Sequence, residues 1–154
     1  MEFGSIEREI LVEAPADIVF EVITSPEHIR EWWNGAETGD LTSAGCVHEI
    51  AWGRDSDHPH IEQLTVIDAD PPRLFSFRWV YEGADVAKPD NSLLVTFALE
   101  TRGDGTLVRM TETGLREKGW EAAVLEAAYQ DHVNGWDIFV PSLAAYATQL
   151  VATR

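Results

Sequence analysis

An α+β fold is predicted by three observations: one strand pattern at the N-terminus, five strand-like segments between Gly45 and Gly114, and a closing apolar stripe at helical spacing. Two short helical segments lie between the first strand and the rest. This order makes a curved six-stranded antiparallel sheet that wraps around a long C-terminal helix. The 154 residues suit one domain, spanning 1–154.

The first strand is IEREILVE, residues 6 to 13, where Ile6, Arg8, Ile10 and Val12 alternate with Glu7, Glu9, Leu11 and Glu13. Ala14-Pro15 ends it. Pro15 fits the first turn of a helix, and Ile18, Val19, Val22 and Ile23 continue that helix to about Thr24. Ser25-Pro26-Glu27 then starts a second short helix, with a Ser cap and an acid in the first turn, that reaches Glu31 and runs into Trp32-Trp33. An adjacent pair of indoles suits a core edge, an interface or a pocket mouth.

VHEIAW (47 to 52) and IEQLTVID (61 to 68) flank a polar loop of hairpin length, Gly53 to Pro59. RLFSFRWVY (73 to 81) sets Phe75, Phe77, Trp79 and Tyr81 on one side and Ser76 and Arg78 on the other. LLVTFALE (93 to 100) and TLVRMTET (106 to 113) are joined by a glycine-containing turn, so the sheet is largely antiparallel. Helix is expected from Gly119 through Asp131, with Trp136, Phe139, Val140, Leu143, Ala147 and Leu150 as its later apolar stripe. Pro141 predicts a bend near 137–141 unless a helix starts there.

Eleven Lys and Arg against 27 Asp and Glu leave a formal charge of −16, which repels nucleic acid and anionic membranes. No apolar run is long enough to span a bilayer and no basic-then-apolar leader opens the chain, so the expected location is cytoplasmic. Met1 to Ser5 carry no weight in the fold argument. The lone Cys46, at the start of an apolar strand, reads as a small buried residue.

The N-terminal IEREILVEAPADIVFEVITSPEHIREWW, the segment DADPPRLFSFRW at 68 to 79 and HVNGW at 132 to 136 resemble the START-like, Bet v 1-like (SRPBCC) superfamily. Within it, the resemblance is to the branch named for the activator of Hsp90 ATPase, and it covers nearly the whole chain. The resemblance implies a helix-grip fold and a cavity between sheet and C-terminal helix that takes apolar or amphipathic molecules. Its members range from binding proteins to polyketide cyclases and chaperone activators, and fold alone does not choose among them.

A sheet curved around one helix often leaves a ligand-sized space, and alternation names the residues that face it. These are Phe75, Phe77 and Trp79; Val95, Phe97 and Leu99; Val108, Met110 and Glu112; with Trp136, Val140 and Leu143 from the helix and Trp32 and Trp33 at the entrance. The alternative is that each simply packs in a solid core. In the resembled fold the tryptophan pair lies near the entrance, with Trp33 packing inward and its neighbour covering the opening or a partner.

Glu112 shares the parity of Val108 and Met110, where a charge without a partner is expensive. It either lines the pocket as an acid or base, or lies near the strand end and reaches water, Arg78 or His132. His132, four residues before Trp136, is the second candidate for such a role. His28 is expected to pack on Trp32 at i, i+4, and His48 to be half-buried and hydrogen-bonded beside Ile50 and Trp52. His58 and His60, with Asp55, Asp57 and Glu62, have metal-ligand types without metal-site spacing, so no metal is assigned.

Gly-X-Ser-X-Gly and phosphate-loop motifs are absent, and no cofactor is implied. The leading expectation is a binding protein for an apolar or aromatic, lipid- or polyketide-like small molecule. The alternatives are a polyketide cyclase or hydrolase using Glu112 or His132, and an Hsp90 co-chaperone. A homodimer is expected if Trp32-Trp33 or Trp120 stays exposed.

Overall fold

The computed structural model describes residues 5–80, 92–115 and 121–153. The elements are β1 (Ser5–Val12), α1 (Ala16–Thr24), α2 (Pro26–Trp32), β2 (Val47–Trp52), β3 (His60–Asp70), β4 (Leu74–Val80), β5 (Ser92–Arg102), β6 (Gly105–Thr113) and α3 (Ala122–Ala152). Their order in the sheet is β1-β6-β5-β4-β3-β2, with every neighbouring pair antiparallel. The long hairpins β2-β3 and β5-β6 follow the expected alternation, which sends one side of each strand to the core. The result is an α+β helix-grip fold with a curved sheet around α3.

The core is one cluster between the sheet's concave face, α1, α2 and the inner stripe of α3. Trp136, Val140, Leu143 and Ala147 form that stripe at intervals of three and four residues. Against them pack Phe75, Phe77, Val95, Phe97, Val108 and Met110, all buried. Each fully buried large apolar side chain contributes about 1.5–3 kcal/mol relative to exposure. In β3 the pairing register slips between Val66 and Asp68, and Ile67 is left on the outside.

Several expectations are corrected in detail. α3 begins at Ala122 and is continuous through Pro141, so no helix starts there; residues 116–120, including Gly119 and Trp120, lie outside the described part, as does Tyr81. Pro141 sits on the exposed side of α3, where water can satisfy the carbonyl that loses its N–H partner. Ser25 occupies the cap position of α2 but makes no side-chain capping bond. Cys46 is partly exposed, with its Sγ 3.8 Å from the Asp40 carbonyl oxygen.

Candidate functional site: an indole-walled cleft

The site begins where α2 stops. Asn34 and Gly35 take φ values of 53° and 74°, a left-handed pair that reverses the chain directly after Trp33. The two tryptophans are thereby stacked on each other, with ring centroids 5.1 Å apart and planes 8° apart. Trp32 is the inner of the two: it is 1 % exposed, and its indole N–H donates to the Val22 carbonyl at 2.8 Å. Trp33, 4 % exposed, sits at the centre of an aromatic cluster with Trp52, Trp79 and Trp136 at centroid distances of 5.5, 5.5 and 5.6 Å. The expected division, with Trp33 inward and Trp32 outward, is corrected: both are buried, and the homodimer argument from an exposed pair is lost with it.

Behind this cluster lies Glu112 of β6, with no solvent exposure. Its Oε2 accepts the Trp79 indole N–H at 2.8 Å, and its Oε1 accepts the Trp136 indole N–H at 3.0 Å. The Nδ1 of His132 lies 2.7 Å from the same Oε1. A carboxylate without partners in this position would be costly, and three nitrogen partners from β4 and α3 offset that cost. With Nδ1 engaged, Nε2 is the His132 nitrogen left to meet another molecule.

Burial of the His132 ring lowers its proton affinity, but the hydrogen bond and charge of Glu112, reinforced by Asp131 and Glu62, outweigh burial and raise its pKa. Glu62 is the second perturbed group: burial raises its pKa, against the lowering influence of His60 and His132. Glu62 Oε1 and His60 Nε2 are 3.0 Å apart.

Trp33, Trp52, Trp79 and Trp136 wall an open cleft of about 320 Å³ at one end of the sheet, completed by Phe139, Gly135 and Asn34. His60, Glu62, Asp131 and His132 supply its polar rim. Trp52 is fixed by its own N–H, which donates to the Trp33 carbonyl at 2.9 Å. A second depression, bordered by Pro15, Pro72 and the Thr101–Gly105 turn, lacks aromatic or paired titratable groups.

Of the residues expected to face a ligand, Trp33, Trp79, His132 and Trp136 border this cleft, and Glu112 stands directly behind three of them. Phe75, Phe77, Val95, Phe97, Leu99, Val108, Met110, Val140 and Leu143 pack in the core, and Trp32 backs Trp33. Sequence reasoning passed over Trp52, Glu62, Asp131 and Phe139 as site residues. Glu62 carried a usable signal, since it shares the inward parity of the buried Leu64 and Val66.

The other histidines fall elsewhere. His28 is held by α3: its Nδ1 lies 2.7 Å from the Tyr146 hydroxyl, because α2 docks on that helix through this edge. His58 is exposed, and His48 is half-buried beside Gly39. Among the described residues, the one group of potential ligand atoms that converges closely enough for a metal is Glu21, Glu27 and His28, away from the cleft.

No curated protein matches the sequence. A solved protein from Mesorhizobium loti superposes with a TM-score of 0.75 at 20 % identity, covering 94 % of this chain and 97 % of that one. DynU16, whose structure is described as that of a protein in the dynemicin biosynthetic locus, gives 0.70 at 20 % identity over 93 % of this chain and 46 % of its own. The Aha1 dimer from Colwellia psychrerythraea gives 0.67 at 17 % identity over 91 % and 92 %. These likenesses show the shared fold. The family model described as "Activator of Hsp90 ATPase homolog 1-like protein" matches residues 13–148, and the chain therefore belongs to that family.

Proposed function

We propose that this protein binds a small aromatic or amphipathic molecule in the cleft between the β2-β3 hairpin and α3. The observation that carries this reading is the convergence of Trp33, Trp52, Trp79 and Trp136 on one open space next to the Glu112-His132 pair. Ligand sites generally combine an apolar wall with a few placed polar groups, and about 320 Å³ is at the small end of their usual ~300–1,000 Å³ range. That size favours one or two rings over a full acyl chain. Titration with 1-naphthol, followed by tryptophan emission, should give saturable quenching that Trp52→Ala weakens. Strictly linear quenching by 1-naphthol and by other one- and two-ring phenols would overturn the reading.

A second reading, proton transfer to a bound substrate, is favoured by the 2.7 Å contact between His132 Nδ1 and Glu112 Oε1. A carboxylate that orients an imidazole and supports its charge is a common arrangement for general acid or base work, including cyclase or hydrolase chemistry. Hydrolysis of p-nitrophenyl esters above the solvent rate, lost in His132→Gln, would support it; equal rates in both proteins would remove it.

Two partner readings rest on the comparisons. Homodimerisation is supported by the relative described as a dimer, and sedimentation at micromolar concentration tests it. Stimulation of an Hsp90 ATPase is supported by the family description alone and is tested by that assay directly. No described helix is long and apolar enough to cross a membrane.

A further inference from the structure

Three of the four indoles that wall the cleft give it only their π surface. The N–H groups of Trp52, Trp79 and Trp136 are all turned away from it, to the Trp33 carbonyl and to the two oxygens of Glu112. The His132 Nδ1 is likewise engaged by Glu112. These indoles therefore offer a ligand their rings and nothing to hydrogen-bond an anion.

Charge points the same way. Glu62 and Asp131 border the cleft and Glu112 lies behind it, while no Lys or Arg is among the described lining residues. With Glu62, Asp131 and Glu112 all ionised, one negative charge remains even when His60 and His132 are both protonated. The chain as a whole, these carboxylates included, carries a formal charge of −16, which draws cations toward it. Burial makes the Glu62 carboxylate reluctant to ionise, and a cation placed beside it would reverse that tendency.

We propose that the ligand is an organic cation, an aromatic or aliphatic amine whose ammonium group sits against the indole wall with Glu62 and Asp131 as its counter-charges. The attraction of an ammonium group to the face of an indole supplies the apolar half of the recognition, and the carboxylates supply the polar half. Carboxylate or phosphate ligands meet Glu62 and Asp131 on the rim, with no Lys or Arg among the described lining residues to balance them. This inference rests on the binding role proposed above and narrows its ligand class.

The test compares two isosteric probes on the unaltered protein by calorimetry, (4-hydroxybenzyl)trimethylammonium and the uncharged 4-(2,2-dimethylpropyl)phenol. The ammonium probe should bind at least tenfold more tightly, and that preference should shrink severalfold in Glu62→Gln and in Asp131→Asn, each checked for folding by circular dichroism. Equal binding, or tighter binding of the neutral probe, overturns the cation assignment and leaves the cleft as a binding site. Absence of binding by both probes overturns the assignment together with the binding role. A preference untouched by either substitution also overturns it, because the counter-charges would then lie elsewhere.

Discussion

The indole N–H of Trp79 reaches the Oε2 of Glu112 at 2.8 Å across an intervening strand. Trp79 lies on β4 and Glu112 on β6, and β5 separates them, with Val95 paired to Glu112 and Leu93 to Trp79. The bond passes over the concave face of β5, and Trp136 and His132 meet the same carboxylate from α3. One side chain thus joins two strands and the helix they grip.

Glu112→Ala should therefore be among the most damaging single changes. It removes the acceptor of two buried indole N–H groups, and each unsatisfied buried donor costs about 1–3 kcal/mol. A total near 3 kcal/mol corresponds to a fall in Tm of about 6–12 °C for a chain of this size. Glu112→Gln retains one acceptor oxygen and should lose about half as much in calorimetric melts. Equal stability of all three proteins would mean that the indoles find other partners.

Stability should fall as the pH rises above 6.5. The folded-state pKa of His132 is raised above its ordinary 6.5, so its contribution is complete below 6.5 and lost as pH climbs through the higher folded value. Glu62 acts with the same sign: its raised pKa favours the folded state at pH below 4.5 and withdraws that support as pH rises. Urea melts at pH 5.5, 7 and 8.5 should show a decline that His132→Gln flattens. A profile unchanged by that substitution would contradict the role given to the Glu112-His132 pair.

Trp52 should matter more to the cleft than to the fold. It is only partly buried, unlike Trp32, and its single polar tie is to the Trp33 carbonyl. Trp52→Phe removes that tie and should cost about 1 kcal/mol of stability. Its effect on 1-naphthol binding should be larger, about fivefold or more. Weakened stability with unchanged affinity would assign Trp52 to the scaffold.

Gly105→Ala offers a control remote from the cleft. A Cβ at Gly105 would stand 2.7 Å from the Val12 carbonyl oxygen, a backbone atom held in the β1-β6 ladder. Overpacking of this kind costs about 1–3 kcal/mol. Denaturant midpoints should drop while the affinity of the folded protein for 1-naphthol stays the same.

Strand periodicity located every strand to within two residues, because the concave side of this sheet is buried and the outer side is wet. The same parity put Glu112 among buried apolar neighbours and raised pairing with His132 as one of its fates. Parity says which face a residue is on, but not how far along the sheet the helix covers that face. Phe97 and Met110 share a face with Trp79, yet the first two lie under α3 and only the third reaches the open end. Glu62 is legible by the same rule that places Glu112, since it alternates onto the face of the buried Leu64 and Val66. Asp131 and Phe139 become site residues only through the rotation of α3, which no local pattern sets.

Apart from the stacked Trp32, the aromatic neighbours of Trp33 come from positions 52, 77, 79 and 136, so the cleft is assembled from segments spread over the chain. No early fragment emerging during synthesis can hold it, since its last wall arrives with α3. Contacts of such long sequence separation form late and slowly in folding. A molecule that occupies the cleft therefore recognises only a chain whose α3 is in place, and mass action makes it a selective stabiliser of the folded state over partly folded ones.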